Sequence, residues 1–292
     1  IGTSVGCGLI TFKKAVILVA VFSFIGGMLQ GGQVMKTIGK GIVRQDLDYT
    51  AIFVALLCSG FFVTLATFYR IPTSTSQAIV GGVLGIGLAV RAEINYSKLI
   101  TIAESWLICP VMVMILAYVL YRLLILLLRR IKKSYMLVQN ALGRLAILSA
   151  CYVAYSMGAN NAGNAVGPIA NLGLFPPTLL LGIGGVAIAI GAVTYGKKVA
   201  DTVGKGITPL DIPGALVAQL SSAFGMHLFS MFGIPVSTSS AIVGAVVGVG
   251  LVRGAKAISK KTLFTILGGW VLTPTLSATT AFLIYRGIKM LF

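Results

Sequence analysis

From Leu99 to Leu128 the chain carries only two charged residues, Glu104 and Arg122, in an otherwise apolar run. A helix needs about 20 mostly apolar residues to cross a bilayer, so this run is long enough to span with some tilt. In hydrocarbon every backbone N–H and C=O must be bonded internally, which leaves only helices and closed barrels. The run is continuously apolar rather than alternating, which argues against a barrel strand. Hydrophobic residues make up 57% of the chain and charged residues 10%, against about 25% charged in soluble domains, and the mean hydropathy is +0.99. The expected fold class is an all-α polytopic membrane protein. Candidate spans fall at 15–31, 49–69, 72–90, 99–128, 142–157, 162–174, 177–195, 212–232, 235–252 and 262–284.

The net charge of +17 does not call for a nucleic acid. The basic residues cluster in short connections, as the positive-inside rule requires. The densest set is Arg122, Arg129, Arg130, Lys132, Lys133 and Arg144, so a basic central loop at 129–141 is expected on the cytoplasmic side. Cys7, Cys58, Cys109 and Cys151 are isolated in or beside apolar runs, without metal-ligand spacing, and read as small packing residues.

The chain repeats itself. Ile71–Gly87 matches Ile234–Gly250 at 12 of 17 positions, 163 residues further on. Leu47-Asp48 recurs as Leu210-Asp211, Thr37–Ile42 (TIGKGI) as Thr202–Ile207 (TVGKGI), and Trp106/Pro110 as Trp270/Pro274, at nearly the same offset. A unit of this size is half a transporter, and duplicated halves are a common transporter design, often inverted. The repeat alone leaves a parallel duplication open. The halves divide the chain into 1–128, the loop 129–141, and 142–292.

Within the repeat, Ile71-Pro72-Thr73-Ser74-Thr75-Ser76 answers Ile234-Pro235-Val236-Ser237-Thr238-Ser239. Proline suits a first helical turn. A helix that starts inside the bilayer leaves N–H groups seeking partners, and the hydroxyls add donors, which together make an anion site without a fixed positive charge. The glycines that follow let helices approach closely. A second phrase, Met157–Pro168 (MGANNAGNAVGP), places Asn160, Asn161 and Asn164 after an apolar helix. Their carbonyls suit an alkali cation and their N–H groups an oxyanion. Gly158 and Gly163 would permit an unwound backbone there. Asp48 and Asp211 read as helix N-caps beside loop cations, Arg44 and Lys205. Glu104 has no counterpart in the other half and is read as facing a cavity or the membrane interface. His227, with Ser221, Ser222 and Asp211, forms no nucleophile-elbow pattern, and an enzyme is not expected.

These motifs resemble the inorganic phosphate transporter (PiT) family. The family carries a G-A-N-D-x-x-N-A-x-G-P signature in each half, matched here by Gly158–Pro168, and a P-x-S-T-S stretch in each half, matched by both opening phrases. Asn161 stands where the family has Asp. The first signature copy would end just before residue 1, so the resemblance implies an N-terminal truncation and impaired transport. It further implies a multi-pass plasma-membrane symporter of inorganic phosphate coupled to sodium or protons. Such a protein is built from two inverted repeats whose broken or re-entrant helices meet at mid-membrane. It would have no cofactor beyond the coupling ion, no nucleic-acid partner, and a homodimer as one assembly. Ser74, Thr75, Ser76, Asn160, Ser237, Thr238 and Ser239 would surround phosphate, and Asn161 and Asn164 would hold sodium. Sulfate, another tetrahedral oxyanion, or a passive anion channel are the alternatives.

Overall fold

The computed structural model describes residues 2–6, 8–69, 73–131, 134–194, 196, 210–254 and 260–291. Regular structure among them is helical, apart from one isolated bridge between Val43 and Ile94. The helices are α1 (Gly2–Gly6), α2 (Phe12–Lys36), α3 (Tyr49–Phe68), α4 (Thr75–Ala89), α5 (Tyr96–Arg130), α6 (Tyr135–Ala170), α7 (Pro177–Thr194), α8 (Ile212–Met231), α9 (Thr238–Arg253) and α10 (Lys260–Leu291). A π-helical turn, Thr37–Gly41, extends α2. Among the described residues six helices are long and apolar enough to cross a membrane, which makes this a multi-pass membrane protein. At 15 and 16 residues, α4 and α9 reach only about 23 Å, short of the ~30 Å hydrocarbon core.

Local chemistry explains the helix starts. Asp48 caps α3 by accepting from the Ala51 N–H at 2.6 Å, and Asp211 caps α8 by accepting from the Gly214 N–H at 2.8 Å. Ser74 and Ser237 cap α4 and α9 through the N–H groups of Gln77 and Ser240. Past the end of α8, after its C-cap Phe232, stands Gly233, whose φ of +67° favours glycine. There the Ile234 N–H reaches back to the Phe229 carbonyl at 3.0 Å, the Schellman closure of a helix.

α3–α4 and α8–α9 are helical hairpins. The base of the first is tied by the Val43–Ile94 bridge and an Arg44–Glu93 ion pair at 2.6 Å. The base of the second is tied by Arg253, at the end of α9, to Asp211, at the start of α8, at 2.5 Å. Each hairpin packs on the long helix of the other half. One core cluster joins Ala51, Ile79, Val83 and Ile86 of the first hairpin to Ala281 and Tyr285 of α10. The other joins Val217, Val243 and Val246 of the second hairpin to Val113 and Tyr121 of α5. The same glycines make both contacts: a Cβ on Gly81 or Gly85 would strike the backbone of Pro274 or Ala278, and one on Gly244 or Gly248 that of Pro110 or Met114. Duplication is therefore visible in packing as well as in sequence.

The structure corrects several expectations. Within 129–141, α5 continues to Arg130 and α6 begins at Tyr135. The segments 142–157 and 162–174 are not two spans, because α6 runs unbroken through Gly158 and Gly163. Those glycines serve close approach instead. A Cβ on Gly158 would strike the backbone of Ser23, and one on Gly163 the backbone of Gly31 and Met35 in α2. The cations facing the capping aspartates are Lys289 and Arg253, while Arg44 pairs with Glu93; Lys205 lies outside the described residues. Glu104 is exposed. Between Glu104 and Arg122 the stretch from Ser105 to Tyr121 carries no charge and spans roughly 26 Å as a helix. Cys58, Cys109 and Cys151 are buried and free; Cys7, Arg70 to Pro72 and the second TVGKGI lie outside the described residues.

Candidate functional site

The two hairpin tips touch. The Ser76 hydroxyl, in the first turn of α4, donates to the main-chain carbonyl of Val236, just before the cap of α9, at 2.6 Å. Asn160 of α6 holds this junction. Its Oδ1 accepts from the Val236 N–H at 3.1 Å, and its Nδ2 donates to the Val236 carbonyl at 2.7 Å and to the Ser76 hydroxyl at 3.3 Å. The carboxamide thus pairs with both backbone groups of Val236, as a neighbouring strand would. One turn further, Asn164 Nδ2 donates to Ser76 Oγ at 2.7 Å. The helix that brings the three asparagines to the tips is the one that α2 supports backbone to backbone.

Burial sorts the hydroxyls. Ser74, Ser76, Ser237 and Ser240 are buried. Ser74 and Ser237 are spent as caps, and Ser240 donates to Ser237 at 2.6 Å. Thr75, Thr238, Ser239 and Asn161 are half-buried and form the open rim. Thr75 donates to Asn161 Oδ1 at 3.1 Å, and Ser239 lies 3.1 Å from Ser237. Among the described residues the Thr238 hydroxyl has no partner. In a helix the first N–H groups have no intrahelical acceptor, so those of Thr75 and Ser76, and of Thr238 and Ser239, begin both short helices as donors.

Of the three asparagine carbonyls, Asn160 Oδ1 is taken by Val236 and Asn161 Oδ1 by Thr75, Asn160 and Asn164. Asn164 Oδ1 is buried and unpartnered. An orphaned buried acceptor costs about 1–3 kcal/mol, and a cation or a hydroxyl brought to it would remove that cost. Among the described residues no group of three His, Cys, Asp or Glu side chains could hold a metal ion.

Sequence reasoning brought Ser74, Thr75, Ser76, Asn160, Asn161, Asn164, Ser237, Thr238 and Ser239 forward, and they do lie on the touching hairpin tips and the α6 segment beside them. It missed Val236, which acts through its backbone and leaves no signal in its side chain. It also missed what the paired tryptophans do. Trp106 Nε1 donates to the carbonyl of Pro235 at 3.2 Å, tying α5 to the second tip. The Trp270 indole N–H is buried without a partner among the described residues, and Pro72, the counterpart of Pro235, lies outside them. His227 is not part of this site; it bonds Tyr152 at 2.8 Å.

The sequence profile of the phosphate transporter family matches residues 1–281. A Pyrococcus furiosus protein is 29% identical over 99% of this chain and 90% of its own length; a Methanocaldococcus jannaschii protein is 29% identical with the same two coverages. A Chlamydia muridarum protein is 27% identical over 100% of this chain and 93% of its own. All three bear the name "Putative phosphate permease". A solved structure titled as the sodium-dependent phosphate transporter is 28% identical, with a TM-score of 0.91, covering 100% of this chain and 93% of that one.

Proposed function

The chain belongs to the phosphate transporter family, and on that premise we propose that it is a plasma-membrane symporter carrying inorganic phosphate with sodium by alternating access. The observation that carries this reading is the Ser76–Val236 contact. It brings two capped helix starts together, with Thr75, Thr238 and Ser239 on the rim and no fixed cation bonded to any of them among the described residues. Two helix N-termini and a set of hydroxyls bind an anion without a permanent positive charge. A fixed arginine would hold phosphate tightly and slow its release; a mobile cation supplies the charge and leaves with the cargo.

Energetics call for such a cation. Moving one charge through 100 mV is worth about 2.3 kcal/mol, so a dianion entering a negative interior at that potential is opposed by roughly 4.6 kcal/mol. Two sodium ions cancel that term and a third lets the potential drive uptake. Asn164 Oδ1, with its free lone pairs, is the side-chain oxygen best suited to one of them. We read the two halves as inverted, which agrees with hairpins whose tips touch and whose bases are tied separately.

The test is radiolabelled phosphate uptake into proteoliposomes, with sodium, proton and sulfate gradients varied one at a time. Uphill uptake that needs the sodium gradient supports the reading, as does a several-fold rise in half-saturating phosphate for Thr75→Ala and Thr238→Ala. Uptake that only dissipates the phosphate gradient would make the protein a channel. Uptake of sulfate in preference to phosphate would replace the substrate. Unchanged kinetics in both variants would remove the threonines from the site.

A further inference from the structure

The hydrogen bonds around Asn161 have directions that backbone groups dictate. The Val236 N–H can only donate, so the Asn160 atom beside it is Oδ1; the Val236 carbonyl can only accept, so the Asn160 atom beside that is Nδ2. Side-chain amides are oriented by such networks. One proton of the Asn160 NH2 group goes to the Val236 carbonyl and the other is shared between Ser76 at 3.3 Å and Asn161 at 3.1 Å, so the Asn161 atom facing it is Oδ1. A second route gives the same answer. Ser76 spends its proton on the Val236 carbonyl, so toward Asn164 it can only accept, and Asn164 turns its NH2 group there at 2.7 Å. That NH2 group also lies 3.4 Å from Asn161 Oδ1, and the Thr75 hydroxyl donates to the same oxygen at 3.1 Å. Three donors converge on an oxygen with two lone pairs. Its capacity is full.

The other end of the amide is free. Asn161 Nδ2 has no acceptor among the described residues, and the side chain is half-buried where Asn160 and Asn164 are buried. We infer that Asn161 presents its NH2 group, not its carbonyl, to the transported anion, and so sets the charge of the binding site. This deepens the reading of the hairpin tips as a phosphate site and rests on it. The residue is a donor to phosphate beside Thr75 rather than a ligand of sodium. An aspartate in the same place would keep Oδ1 under the three donors and put a carboxylate oxygen where the NH2 group is. The anion would then meet a negative oxygen and would need a cation between the two.

The experiment is isothermal titration of phosphate into detergent-solubilised protein at low and high sodium, on wild type, Asn161→Asp and Asn161→Ala. Titration needs no transport, so it separates this inference from the symport reading. Asn161→Asp is expected to weaken phosphate binding about tenfold at low sodium and to recover as sodium rises. Asn161→Ala is expected to weaken it at both, with the sodium requirement unchanged. Thermal unfolding of each variant reports folding, and Asn161→Asp retains the oxygen that the three donors need. Phosphate affinity within twofold of wild type in both variants overturns the inference, and so does a loss confined to sodium affinity. Wild type that binds phosphate but never carries it overturns the symport reading alone; wild type that binds none overturns both.

Discussion

The hydroxyl of Ser76 and the carbonyl of Val236, 160 positions apart in the chain, form a 2.6 Å hydrogen bond buried between two hairpin tips. This bond joins the halves where each begins a short helix. Its partners are layered: Asn160 braces Val236, and Asn164 braces Ser76. Rigidity at this point gives the rim groups Thr75, Asn161, Thr238 and Ser239 a fixed spacing, which an anion site built from neutral donors requires.

Ser76→Ala should therefore cost more than a rim substitution. Among the described residues it removes the one strong acceptor of the Asn164 NH2 group, leaving a contact of 3.4 Å to Asn161, and a buried donor without a partner costs about 1–3 kcal/mol. Thermal unfolding in detergent should show a loss of that order, with phosphate uptake sharply reduced. Ser239→Ala, on the half-buried rim, should change stability little. Equal stability of Ser76→Ala and wild type would mean that the tips are not held by this bond.

How much of this could be read from the sequence depends on the range of the forces. Asp48 and Asp211 announce helix starts because capping acts over three residues, whereas proline pointed to a start at Pro235 and the cap falls two residues later, at Ser237. What each aspartate meets elsewhere is long-range: Lys289 rather than Arg44 pairs with Asp48, and Arg253 pairs with Asp211. Gly158 and Gly163 are ambiguous by nature. A glycine inside a helix serves either a broken backbone or a close neighbour, and only the position of Ser23 and Gly31 on α2 decides. At the central connection hydropathy marks the apolar run, whereas the helical backbone of residues 135–141 continues outside it.

The capping aspartates carry a second duplicated contact. Tyr285 donates to Asp48 at 3.1 Å, and Tyr121 to Asp211 at 3.4 Å, so each tyrosine ties its long helix to the hairpin of the other half. Burial pulls the Asp48 carboxyl upward, but the Ala51 N–H, Lys289 and Tyr285 together outweigh it and hold the group below its ordinary value of 3.8. A carboxyl lowered on folding adds stability above its unfolded pKa and loses it as pH falls through the folded one. The unfolding temperature should thus be insensitive to Asp48 ionisation from pH 6 to 8, falling only below about pH 4. In Asp48→Asn the acid-induced drop should be smaller, and Tyr285→Phe should weaken the protein at neutral pH. A wild-type curve already sloping near pH 6 in a way that Asp48→Asn abolishes would contradict this.

The swapped packing of the halves yields the sharpest structural test. Gly81 on α4 and Gly244 on α9 occupy matching places in the repeat, and a Cβ on either would strike the backbone of Pro274 or Pro110. Backbone cannot move aside as a flexible side chain can, so Gly81→Ala and Gly244→Ala must each push a helix away, at about 1–3 kcal/mol for overpacking. The two losses should be similar, because the contacts are. Gly60 on α3 is the control: a Cβ there meets nothing within 4 Å, and alanine favours a helix over glycine by up to about 1 kcal/mol. Thermal unfolding should therefore rank Gly60→Ala at or above wild type, with the other two well below it and close together. A large gap between Gly81→Ala and Gly244→Ala would mean that the two halves are not packed alike, and neutrality of both would mean that α4 and α9 do not lie against the long helices of the opposite half.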